Sequence, residues 1–212
     1  MERSPAPIAE LVAALCYGER LAERRASEGA ALAGDARGRQ HQADVAARER
    51  KAADLLEARL GELGSLDMQR AFAPFFDAFF DRTRPADWVE QQAFHYVGDA
   101  LVADFAEVLE PVLDPVSAAV IRRTISSREE QEAFALDELT RALEQDPGAA
   151  DRVAIYARRV IGEAITQTRR ALKETTLLSR LLGGEEGEKR LVLDLLDRHR
   201  RRLDRLGIEP VE

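Results

Sequence analysis

Sulfur and imidazole are scarce in this chain: its 212 residues include one cysteine and three histidines. A single cysteine excludes an intrachain disulfide and any cysteine-cluster metal site, and Cys16, on an alanine-rich segment, reads as a small core residue. Long apolar runs are missing as well, since nothing approaches the roughly 18 consecutive apolar residues of a membrane span. The N-terminal "MERSPAPIAELVAAL" carries acids and no secretory-type apolar run, so the expected location is cytoplasmic, with no membrane attachment. Alternating β-branched and aromatic runs are absent while Ala, Leu, Glu and Arg dominate, which leaves an all-α class. Hydrolase signatures are also lacking: there is no nucleophile elbow and no HExxH.

Charge, by contrast, is plentiful at 33% of residues and leans acidic, with a net of −8. Residues 1–150 hold 17 Lys+Arg against 28 Asp+Glu, a balance of −11, whereas residues 151–212 hold 14 against 11, or +3. The densest basic cluster, "DRHRRRLDRLG", sets Arg198, Arg200, Arg201, Arg202 and Arg205 on a predicted helix among Asp197 and Asp204. Such a stretch reads first as a solvated, salt-bridged face and second as an RNA or phosphate contact surface.

Helix 1 is expected to start after Ser4-Pro5, a cap followed by a first-turn proline, and to run to Gly34; helix 2 follows from Asp35 to about Leu63. A short aromatic helix, "MQRAFAPFFDAFFDRT", comes next with Asp67 as its cap. Its phenylalanines read as core packing, with a ligand pocket or partner groove as the alternative. Further helices are expected from about Asp87 to Leu109, Asp114 to Gln145, Ala149 to Leu182 and, after a "GGEEG" loop, Glu188 to Leu206. Four long helices in two hairpins, joined by a connection with its own short helix, describe a ferritin-like bundle within a single domain, residues 1–212. The core bundle would span about 5–145, with accessory C-terminal helices at about 149–206.

Two carboxylates interrupt apolar stripes. Glu19 lies on the face made by Ile8, Val12, Leu15, Ala22 and Ala26, and Glu49 on the face made by Val45, Ala52, Leu56 and Leu63. A buried carboxylate must be paired, metal-bound or protonated. Ferritin-like di-iron sites take one Glu from each of two helices and a Glu-x-x-His from each of the other two, because residues i and i+3 share a helix face. No Glu-x-x-His occurs here: the residues three before the histidines are Gly38, Gln92 and Leu196. On the helix from Asp87 the candidates are Glu90, His95, Asp99 and Asp104, with His95 a possible ligand or a structural partner of Asp99. The next helix presents Ile121, Ile125, Arg128, Glu132, Ala135 and Leu139, which puts Arg128 near the middle of the bundle. A guanidinium there is expected to ion-pair with some of Glu19, Glu49 and Asp99, with Gln131 adding neutral hydrogen bonds. The alternative turns Arg128 to the surface, against Glu129 or Glu132.

The segments "YGERLAERRA", "DWVEQQAFHYVGDALVADFAEVLEP", "AFALDELTRALEQDP" and "RVAIYARRVIGEAITQTRRAL", with the "LLGG" loop, resemble the ferritin-like proteins grouped with tRNA 2-methylthio-isopentenyladenosine hydroxylase. The resemblance implies O2 activation at an iron cofactor, with Glu19, Glu49 and Asp99 at ligand positions. This sequence differs at Ala52, where the pattern has His, and at Arg128 and Gln131, where it has a carboxylate and His. Three readings follow: a structural or interaction protein with no cofactor, self-associating as a dimer; an iron-dependent hydroxylase; or an RNA-binding protein using the basic C-terminal helix.

Overall fold

The computed structural model describes residues 5–126, 128–175, 180 and 182–208, which are helical or in turns, with no strand among them. The helices are α1 (Pro5–Gly29), α2 (Ala36–Glu62), α3 (Gln69–Arg82), α4 (Trp88–Ala93), α5 (Ala100–Leu109), α6 (Pro115–Ile125), α7 (Arg128–Gln145), α8 (Ala149–Glu174) and α9 (Glu185–Arg205). Alanine, leucine and long charged side chains lose little freedom in a helix, which explains the uninterrupted α1 and α2. Aspartates set several starts: Asp35 accepts from the Gly38 amide at 2.7 Å, Asp87 from Glu90 at 2.8 Å, and Asp114 from Val116 and Ser117 at 3.0 Å.

α1 and α2 run antiparallel, as the pairs Cys16–Ala53 and Glu23–Arg50 show. α7 lies antiparallel to α2, with Arg37 reaching Asp137 and Glu138 and Arg48 reaching Glu130. The α4–α5 run and the α6–α7 run thus complete a four-helix bundle with the first hairpin, and α3 crosses between the two pairs against α1 and α8. α8 and α9 pack outside it, α9 mainly on α5. No helix among the described residues is long and apolar enough to cross a membrane.

Several expected boundaries are corrected. Helix 1 ends at Gly29, and a 3-10 turn, Ala30–Leu32, follows it. Asp67 does not cap α3: it lies in a 3-10 turn, Leu66–Met68, and α3 starts after Met68 without a side-chain cap. α8 stops at Glu174 rather than continuing to Leu182. The Ser4 cap lies outside the described residues.

Two long helices are interrupted. The run from Trp88 to Leu109 contains a π-helical segment, Phe94–Asp99, between α4 and α5. Such segments widen the helix by one residue per turn and recur at functional sites. The run from Asp114 breaks after Ile125: Thr124 Oγ1 donates to the Ile121 carbonyl at 2.8 Å and Ser126 Oγ to that of Arg123 at 3.0 Å. Hydroxyls bonded back to the backbone compete with continued helix. The break makes Arg128 the first residue of α7.

Candidate functional site

The four bundle runs bring one buried polar cluster together. Glu19 comes from α1, Gln42 and Glu49 from α2, Gln91, His95 and Asp99 from α4 and its π segment, and Arg128 and Gln131 from α7. Glu19 is 2% exposed and Glu49 4%, so neither carboxylate is solvated. Gln42 precedes Glu49 by seven residues and Gln91 precedes His95 by four, which places each pair on one helix face.

Arg128 lies at the centre. Its Nη2 donates to Glu19 Oε1 at 2.7 Å and lies 3.9 Å from Glu49 Oε2, while Nη1 donates to the Asp99 carbonyl at 2.9 Å. It does not turn outward to Glu129 or Glu132; its side chain is 11% exposed. The acids Glu19, Glu49 and Asp99 outweigh the burial that opposes its charge and hold its proton more tightly than usual. Glu49 moves the other way from an exposed acid: burial first, then the charge and hydrogen bond of Glu19, push its pKa well above the carboxylate range, against the pull of Arg128. One guanidinium thus faces two carboxyls, of which Glu49 holds its proton more tightly than an exposed acid does.

Beside it sits an imidazole enclosed by amides. His95 Nδ1 is 2.7 Å from Asp99 Oδ2, and Gln131 Nε2 reaches both that oxygen and Nδ1. His95 Nε2 is 2.8 Å from Gln91 Nε2 and about 3 Å from the Gln42 amide, at 3.0 Å to its nitrogen. The pattern fits an imidazole that donates from Nδ1 to Asp99 and accepts at Nε2 from Gln91.

Measured against a di-iron centre, this donor set does not fit. Position 52 is an alanine 4% exposed, position 131 offers an amide, and the guanidinium stands where repulsion of a cation would be greatest. His95 has both nitrogens occupied by side chains. Among the described residues no group of three or more His, Cys, Asp or Glu is arranged to hold a metal ion.

A cavity of about 160 Å³ adjoins the cluster, between α1, α3, α5 and α8. Seven phenylalanines line it, five of them from α3, and its polar end is formed by Glu19, Asp99 and Arg128. The phenylalanines expected to be core packing therefore also wall an open volume: Phe72, Phe75 and Phe80 are buried and line it at once.

The basic C-terminal cluster divides into arginines that turn inward and arginines that stay on a salt-bridged face. Arg202 forks onto Asp104 at 2.6 and 2.8 Å with a side chain 13% exposed, and Arg198 reaches Asp104 at 3.2 Å and Glu107 at 2.7 Å. These two point into the fold, because Asp104, 3% exposed, needs countercharge. Arg200, Arg201 and Arg205 stay exposed, paired with Asp204, Asp197 and Glu132. Asp104 is thereby taken up by α9 and is no part of the central cluster.

Gln42, Gln91 and Arg25 were not singled out by sequence. Amides on the faces of Glu49 and His95 were a usable signal for the first two. Arg25, 4% exposed, donates to the Thr83 carbonyl at 3.0 Å and to that of Phe80, closing the end of α3 beneath the rings of Phe80 and Phe94. Only the tertiary packing of α1 on α3 reveals that role.

The model of a family described as ferritin-like domain, actinomycetes, matches residues 2–185, and the chain belongs to that family. None of the curated proteins matches it.

Proposed function

We propose that this ferritin-like chain is a non-catalytic member of its fold, a structural or interaction protein in which Arg128 stands in place of the metal pair. The observation that carries the reading is the guanidinium held between Glu19 and Glu49, 2.7 and 3.9 Å from their oxygens. A fixed cation supplies the countercharge that buried carboxylates require without any redox chemistry. Self-association as a dimer is part of this reading. It is supported by Leu193 and Leu196 on α9, which are 66% and 39% exposed, and light scattering checks it.

A second reading, an iron-dependent hydroxylase similar to the tRNA-modifying enzyme, draws support from the sequence resemblance and from an apolar cavity ending on carboxylates. One experiment separates the two. The protein is incubated anaerobically with Fe(II), desalted, exposed to O2 and assayed for iron and for near-ultraviolet absorption. The non-catalytic reading expects far less than one iron per chain and no oxo-bridged band; two irons per chain with that band overturn it.

A further inference from the structure

Asp99 faces two ways. Its Oδ2 takes His95 and Gln131, whereas Oδ1 has no donor among the described residues. The side chain is 9% exposed, and Asp99 lines the phenylalanine-walled cavity at its inner end. Arg128 Nε and Glu19 Oε2 are shut off from that space by their neighbours, but Asp99 Oδ1 is open to it. A carboxylate oxygen buried to this degree without a donor is costly, so the cavity carries a polar demand that the chain itself does not meet.

Charge narrows what meets it. Glu19, Glu49 and Asp99 are grouped around the single guanidinium of Arg128, which is spent on Glu19 and on the Asp99 carbonyl. The groups bonded to Asp99 Oδ2 are an imidazole and a neutral amide, so acids outnumber cations and a positively charged donor fits better than a neutral one. The ring faces of the wall favour the same choice, because an aromatic face attracts an ammonium. Two other polar groups line the space, and neither calls for charge. The Gln167 amide donates to Glu163 and accepts from Arg170 at 2.8 Å, and the Thr168 hydroxyl can turn to the carbonyl four residues earlier, as that of Thr166 does to Gly162. The body of the guest is set by the wall. A Cβ at Gly18 would come within 2.9 Å of Phe76 and one at Gly98 within 3.1 Å of Phe94, so both rings lie directly on helix backbone and stay clear of the volume. At about 160 Å³ that volume is close to an engineered cavity of about 150 Å³ known to take benzene, a guest of roughly six to ten non-hydrogen atoms.

We infer that this cavity binds a small primary amine with an aromatic or branched aliphatic body, its ammonium on Asp99 Oδ1 and its body among the α3 phenylalanines. The inference rests on the reading of the site as metal-free, since an iron held by Asp99 would occupy the oxygen that the amine needs.

The probes are benzylamine, protonated at pH 7, and benzyl alcohol, its neutral counterpart of the same shape, each titrated into the full chain and followed by ligand-detected NMR and calorimetry. Benzylamine should bind at least about tenfold tighter than the alcohol. Asp99→Asn removes the charge at nearly constant size; it should weaken benzylamine at least about tenfold and leave benzyl alcohol within about threefold, with circular dichroism unchanged. Should that variant fail to fold, Ala164→Phe fills the cavity from α8 and Val102→Trp from α5, and either should weaken both probes at least about tenfold. Absence of benzylamine binding, equal affinity of the wild type for the two probes, or undiminished benzylamine binding by a folded Asp99→Asn or cavity-filled variant each overturns the site. Iron measured on the same sample keeps the two proposals separate. A metal-free protein that ignores benzylamine sinks the amine site alone, two irons per chain with benzylamine bound sink the metal-free reading alone, and two irons without it sink both.

Discussion

Two buried arginine–carboxylate clusters among the described residues solve opposite problems. At the bundle centre one guanidinium serves Glu19 and Glu49, so acids outnumber cations and Glu49 holds its proton more tightly than an exposed acid does. Between α5 and α9 two guanidinia serve Asp104, whose oxygens take Arg198 and Arg202 together. The second cluster is satisfied internally and ties α9 to the bundle. The first leaves Arg128 Nε buried without an acceptor. Bidentate matching makes an anchor, whereas one cation set against two acids leaves part of the balance to a proton.

The sharpest way to break this comparison is to remove the scarcer cation. Arg128→Met should cost about 3–5 kcal/mol at pH 7, because two carboxyls remain buried without countercharge. The loss should shrink as pH falls and Glu49, whose pKa is raised, takes up its proton, and urea unfolding at pH 7 and pH 5 measures both. Asp104→Asn should cost less, about 2 kcal/mol, since Arg198 is one-third exposed and retains Glu107. Hydrogen exchange should then show lost protection concentrated in α9.

The two regions should also titrate in opposite senses. Glu49 binds its proton more tightly folded than unfolded, so its contribution is fully present below the ordinary carboxyl pKa of 4.5 and is lost as pH rises through the raised folded value. Glu49→Gln should remove that downward slope and match or exceed wild-type stability at pH 8. Near the other cluster, burial and the charge of Arg202 push His199 down to about 4. Its unfolded form takes a proton first as pH falls below the ordinary 6.5, so stability drops between there and about pH 4, by up to about 1.4 kcal/mol per pH unit. His199→Gln should remove that contribution to the acid limb, leaving a comparable one from His41, which burial also lowers to about 4. Smallest of all is the effect of Arg200→Gln with Arg201→Gln. Those side chains are 68% and 72% exposed, and stability should change by less than about 0.5 kcal/mol. Filter binding of tRNA should be unchanged by the pair; weaker binding with a flatter salt dependence would favour an RNA-binding role.

The all-α class was legible because local propensity and apolar periodicity agree along the chain, and the stripes carrying Glu19 and Glu49 were visible as i, i+3, i+4 spacings. The interruptions were not. A π segment at Phe94–Asp99 leaves the apolar pattern nearly intact, and the break at Ser126 depends on which carbonyls the hydroxyls capture. Asp104 looked like one more inward acid of the bundle, since nothing local indicates that α9 folds back to supply Arg198 and Arg202.

Sequence periodicity alone was enough to decide which residues share a helix face, and so to mark Glu19 and Glu49 as carboxylates leaving water, because that follows from 3.6 residues per turn. Packing of the helices decided which cation each carboxylate meets and that the α3 rings enclose a volume instead of filling it. Those outcomes depend on distances of a few ångströms between residues far apart in the chain, such as Glu19 and Arg128, which no local pattern encodes.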